Sequence, residues 1–192
     1  MKIKNLIVIL FILCGVASYS EALEAGFISP MQLQSPNTDI QGVRVGLIYT
    51  DNDDVEGLDF NIIANSKRNF TGLSLGSFYD ETRGDFTGIR IPWFFFIAYN
   101  RVEGNLTGIQ LGGVNHVQGD MQGLQMGIIN LTQTATGLQV GGFNKSSYFK
   151  GLQLGFVNYA RRLDGLQIGL INIADNSEVC EVLPLVNWNF RF

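Results

Sequence analysis

His116 is the only histidine of the chain, so any Ser-His-Asp arrangement would have a single candidate base. Together with Cys180 it is too small a set for the usual His/Cys zinc clusters; the other cysteine, Cys14, lies in an N-terminal segment treated below. His116 follows a repeated strand-like segment and reads as a surface residue in a turn. Asp51-Asn52-Asp53-Asp54 is an oxygen-rich turn of the kind that holds Ca²⁺ weakly. It lacks the spacing and the distal Glu of an EF-hand loop, so it reads first as a solvated turn. The 23 glycines recur through strand-like segments and never sit between one strand and one helix, as a phosphate loop requires. No catalytic set, metal site or cofactor site can be assembled, and no small-molecule substrate is implied. The expectation is a protein that is not an enzyme.

One interval could make contacts. GIRIPWFFFIAYNRVEG, from Gly88 to Gly104, crowds Trp93, Phe94, Phe95, Phe96 and Tyr99 around Pro92. These aromatics either fill the core around a bulge or form an apolar protrusion that touches a membrane or a partner, as exposed contiguous apolar surface does.

The elements that must position such residues come from an internal repeat. Copies open at Gly42, Gly57, Gly72, Gly88, Gly108, Gly123, Gly137, Gly151 and Gly165, with a degenerate copy at Cys180. The spacings are 15, 15, 16, 20, 15, 14, 14, 14 and 15 residues, so one unit covers residues 42–192 and leaves 21–41 as a lead-in. With the opening Gly as position 0, positions −2, +1, +3 and +6 are apolar and +2 is polar, becoming Gln in the last five full copies. Position +4 is usually Gly, and +7 is Asn in those later copies. Apolar, polar, apolar at +1 to +3 is strand periodicity. The parity then slips, which a straight strand cannot accommodate but a chain bending at its glycines can.

An all-β fold with two possible architectures follows. In the favoured one, a β-solenoid, each copy is a coil that sends −2, +1, +3 and +6 inward and leaves +2 outside, with Gln and Asn stacked into ladders. The alternative is an outer-membrane β-barrel of about ten strands, possibly a small channel. VNWNFRF supports it, because an alternating aromatic strand ending in Phe192 resembles the C-terminal strand of bacterial outer-membrane barrels.

MKIK, an apolar stretch from Leu6 to Val16 and then small residues have the order of a secretory signal peptide. Cleavage is expected after Ser20 or after Ala22; an N-terminal membrane anchor is the rival. Removing residues 1–20 takes away Lys2, Lys4 and Cys14, and moves the net charge from −4 to −6. That charge argues against nucleic acid as a partner. A single remaining cysteine forms no internal disulfide.

GIQLGGVN, GLQMGIIN, GLQVGGFN, GLQLGFVN and GLQIGLIN, from Gly108 to Asn172, resemble the tandem GLQ(I/L)GL(I/V)N units of the spirochaete-type bacterial surface-repeat family. The first four copies depart from the pattern. The resemblance implies an exported protein at the cell surface or outer membrane, with a structural or binding role toward an unknown surface partner or the membrane. It implies no catalytic residues.

Overall fold

The computed structural model describes residues 23–190. They form one eleven-stranded sheet: β1 (Leu23–Ile28), β2 (Met31–Gln32), β3 (Ile40–Asn52), β4 (Val55–Ser66), β5 (Phe70–Leu75), β6 (Tyr79–Thr82), β7 (Phe86–Ile91), β8 (Tyr99–Val102), β9 (Leu106–Leu111), β10 (Val114–Ala174) and β11 (Val182–Asn189). The sheet is wound into a β-solenoid. Each repeat is one coil with two short arms. The first arm pairs in parallel from copy to copy, Gly42 on Gly57, Gly72, Gly88, Gly108 and Gly123. The second arm does the same, with Ile63 on Tyr79, Tyr79 on Tyr99 and Tyr99 on Val114. In β10 the extended chain runs through the later coils for 61 residues, bending at each corner.

Parallel pairing of successive copies rules out the ten-stranded barrel, whose neighbouring strands run antiparallel. The lumen is filled by side chains, so there is no channel. At one edge of the coil the lumen is apolar: Ile40, Val55, Phe70, Phe86, Leu106, Met121, Phe149 and Leu163 stack at position −2, joined by Val102, Val117, Ala160 and Ala174. Phe70 and Phe86 lie face to face, 5.0 Å between centroids.

The sidedness of the other columns is the reverse of the expectation. Position +2 points into the lumen: Gln110, Gln125, Gln139, Gln153 and Gln167 are fully buried. Positions +1 and +3 lie outside, half-buried or exposed, and +6 is half-buried or exposed at the corner. Only −2 is inward as expected. The reason is strand alternation: positions −2 and +2 are four residues apart and share a face, so the lumen that takes −2 takes +2 as well. At the +4 corner the Asn of the preceding coil adds a side-chain donor to the +3 carbonyl, which for Met126 also accepts from the Gly112 N–H: Asn115 Nδ2 donates to the Met126 carbonyl (3.0 Å), Asn130 to Val140 (2.9 Å) and Asn144 to Leu154 (2.9 Å). An aliphatic side chain left outside still buries much of its surface against its equivalents above and below.

The glycines fit the same scheme. At Gly123, with φ +136°, an added Cβ would stand 2.0 Å from the Gly108 carbonyl oxygen. At Gly127, a Cβ would meet the Gly112 carbonyl at 2.4 Å and Asn115 Nδ2 at 2.7 Å.

Both ends of the array differ from the expected boundaries. β1, inside the supposed lead-in, is itself a rung: it pairs in parallel with β3, Leu23 on Val43 and Glu24 on Arg44. The segment opening at Cys180 is no tenth coil. β11 runs antiparallel to the last coil, Gly165 opposite Asn189 and Leu166 opposite Trp188, and caps it. An antiparallel cap breaks the translated register that would otherwise invite another coil. The expected signal peptide, residues 1–20, and Phe192 lie outside the described residues.

Gly123→Ala is expected to cost more than about 3 kcal/mol, beyond the usual range of single substitutions. Gly142→Ala should stay within about 1 kcal/mol, because its nearest neighbour would be the Ile128 carbonyl at 3.0 Å. Urea denaturation of the two purified variants checks the contrast; equal losses would refute the carbonyl-contact account.

Candidate functional site

The groups most able to do chemistry are sealed inside. Arg44, Asp59, Asp80 and Arg90 are fully buried. Arg44 forks onto Asp59 through Nε (2.8 Å) and Nη2 (2.9 Å), and it also donates to the Asn65 carbonyl. Burial pulls the Arg44 pKa down, but Asp59, with Asp80 and Glu24 beyond it, more than offsets this and holds it above the ordinary value. Arg90 Nη2 lies 2.7 Å from Asp80, which also accepts from Ser74 and Ser77. This second pair is less well compensated. Burial raises the Asp80 pKa and lowers that of Arg90, even though the two partners oppose those shifts. Arg90 Nε and Nη1 have no acceptor, although the guanidinium stacks 4.2 Å over the Phe86 ring.

From Gln110 onward charges give way to two amide ladders of opposite sense. Each Gln Nε2 donates to the preceding coil, as Gln125 to Gln110 (3.1 Å) and Gln139 to Gln125 (2.9 Å). Each Asn donates to the following coil, as Asn130 to Asn144 (2.8 Å) and Asn144 to Asn158 (2.8 Å). The Gln ladder starts badly: Gln110 Nε2 has no partner, and it belongs to the coil next to the unpartnered nitrogens of Arg90.

With the polar groups inside, the apolar columns make an external trough. Its floor is the +4 glycine row, its walls are positions +3 and +5. At the N-terminal end Phe27, Val45, Leu47, Phe60, Ile62 and Trp93 enclose a groove of ≈ 620 Å³. At the C-terminal end Val140, Leu154, Phe156, Ile168, Leu170 and Leu185 line another of ≈ 580 Å³. Leu170 and Phe156 are 61% and 67% exposed. No charged side chain lines either groove.

The aromatic interval interrupts the +5 wall. Pro92 to Ala98 form an insertion whose ends, Pro92 and Ala98, are buried. Trp93, Phe94, Phe96 and Ile97 project, at 69%, 57%, 74% and 67% exposure. Phe94 stacks on Phe78 (5.3 Å) and Phe95 meets Phe96 edge-on. Glycines seat the insertion: a Cβ at Gly76 would stand 2.4 Å from the Trp93 indole nitrogen, and one at Gly113 would stand 2.2 Å from the Phe96 carbonyl. Of the five candidate aromatics, Trp93, Phe94 and Phe96 are exposed together. Phe95 is half-buried, and Tyr99 belongs to the next strand, stacked on Tyr79 (5.6 Å).

His116 lies within β10, where it is half-buried in register with Arg101. Burial, and then Arg101, lower its pKa. The acidic turn is ion-paired: Lys67 reaches Asp51 (3.2 Å), and Arg68 bridges Asp39, Asp53 and Asp54. Among the described residues no three His, Cys, Asp or Glu side chains gather as a metal site.

Two features escaped the sequence reading. Asn100 joins the Asn ladder, donating to Asn115 and to the Leu111 carbonyl. The insertion displaces it from position +7, although YNRV repeats as VNHV fifteen residues later. A second Asx column stands at position −3. Asp54, Asn69, Asp85 and Asn105 each accept from the backbone N–H of the −3 residue one coil on.

No family model matches this chain, no curated protein is similar to it, and no solved structure matches it.

Asp59→Ala is expected to lower stability by about 3–5 kcal/mol, because it strands a buried guanidinium. Replacing both Arg44 and Asp59 by Gln, which puts an amide pair in place of the ion pair, should recover most of that loss in the same urea titration. Gln110→Glu should raise the unfolding free energy by about 1–2 kcal/mol by offering an acceptor to Arg90. Gln125→Glu should lower it, since that side chain's donor is already used. A drop for both would refute the account of the ladder's start.

Proposed function

We propose that this chain is an exported, non-catalytic repeat protein of a bacterial cell surface, acting by contact with a protein partner through its external apolar trough. The observation that carries the reading is the distribution of chemistry. The buried Arg–Asp pairs are consumed in holding the lumen together. The outside offers a long apolar trough with a projecting aromatic insertion. Monomeric proteins rarely expose contiguous apolar patches beyond a few hundred Å² without a use for them. Export is supported by the order of residues in 1–20, and a surface location by the resemblance of the Gly108–Asn172 units to spirochaete-type surface repeats.

The trough favours a ridged protein partner over a flat bilayer, since a bilayer would leave its concave floor unfilled. Nucleic acid is disfavoured by the acidic balance, and no cofactor is invoked.

Fractionation of a two-membrane bacterium expressing the tagged chain tests the reading. The expected product lacks residues 1–20 or 1–22 by mass, resides outside the inner membrane and is released by urea. A full-length product in the cytoplasm would refute export, and a need for detergent would refute peripheral attachment.

A further inference from the structure

The trough carries on one chain both a projection and a cavity that suits it. The projection is the insertion over the third to fifth coils, with Trp93 seated on Gly76 and the Phe96 backbone on Gly113. The cavity is the ≈ 580 Å³ groove over the seventh to ninth coils and the cap, walled by Leu154, Phe156, Ile168, Leu170, Leu185 and Val186. Between them the +5 wall has one outward side chain, Ile128, beside one opening, Gly142.

We infer that the partner of the trough is a second copy of this chain, docked antiparallel about a two-fold axis between the coils of Gly123 and Gly137. This deepens the functional reading above and rests on it for the use of the trough. The symmetry supplies the fit. An axis between the sixth and seventh coils places the third to fifth coils of one copy on the tenth to eighth positions of the other. The aromatic insertion of each copy then enters the C-terminal groove of its mate, and Ile128 of each sits over Gly142 of the other. A self-complementary patch of this kind is what an isologous interface requires. A parallel arrangement would set insertion against insertion and leave both grooves empty.

The dimensions agree. Seven overlapping coils and the cap, spaced at about 4.8 Å across about 16 Å of trough, give roughly 600 Å² per partner, near the lower bound of about 1,200 Å² in total for stable interfaces. The projecting aromatics add to that area and are the residue types that dominate interface energetics. Lining residues without charge let two acidic chains meet here without repulsion.

Light scattering of the purified protein at micromolar concentration, without detergent, should give twice the monomer mass. With Cys14 and Cys180 replaced by Ser, Ile128→Cys should form a disulfide-linked dimer on mild oxidation, because it lies beside the axis. Leu170→Cys should not, because about five coils, roughly 24 Å, separate it from its mate. Gly142→Leu, which fills the central opening, should give monomer. Phe96→Asp alters a side chain already in solvent and should weaken association at least about tenfold with unchanged circular dichroism. A monomer for the unmodified protein would overturn the proposal, whether or not it floats with phosphatidylcholine vesicles. So would linkage through Leu170→Cys, which requires parallel copies. None of these outcomes depends on where the cell puts the protein, so failure here leaves the export reading standing, and the reverse.

Discussion

The hydrogen bond from each corner Asn to the position +3 carbonyl of the next coil is the constraint on which the later coils depend. A fourteen-residue coil has to turn sharply, and the +4 glycine lets it. At the turn the position +3 carbonyl accepts twice from the coil before, as that of Met126 does from the Gly112 N–H and from Asn115 Nδ2. An amide from the coil before is the shortest side chain that donates to it while accepting from its own neighbour, as Asn130 does with Val140 and Asn115. In the first arm, strand parity carries the Gln at +2 to the side that position −2 takes, so it lies inside as Met121 and Gln125 do. The aliphatic residues that flank the Gln are then forced out.

That choice divides the lumen into an apolar edge and a polar edge. The apolar edge, stacked at position −2, supplies the non-directional part of the stability. The polar edge supplies register, because an amide ladder is satisfied only when each coil stands directly over the last. The early coils reach the same end differently. Arg44 with Asp59, and Arg90 with Asp80, replace amides by ion pairs that also lock neighbouring coils together. Removing one partner of such a pair strands a buried charge, so these coils tolerate less change than the uniform ladder beyond them. The junction between the two regimes, at Arg90 and Gln110, holds unpartnered buried donors and is where the two solutions fit each other least well.

The outside of the molecule inherits the consequence. Apolar rows that a solenoid usually hides form a trough, and the insertion from Pro92 to Ala98 projects from its wall. The proposed function rests on this surface, because the lumen is closed and its arginines are paired with its aspartates.

The sequence by itself determined the repeat, its coil length, the all-β class and the columns that stack, because a unit written nine times leaves a period whatever its geometry. It also located the aromatic interval and the glycine positions. Sidedness was beyond it. The pattern +1 apolar, +2 polar, +3 apolar is the same whether the lumen takes the Leu or the Gln. Only the tertiary arrangement, in which Asn130 reaches a carbonyl ten residues on in the next coil, decides between them. Asn100 was hidden for a related reason: an insertion moves it in sequence but not in space. The reversed chain direction of β11 was equally illegible, since VLPLVN scans as a worn copy and nothing local distinguishes a strand that continues the stack from one that turns back to close it.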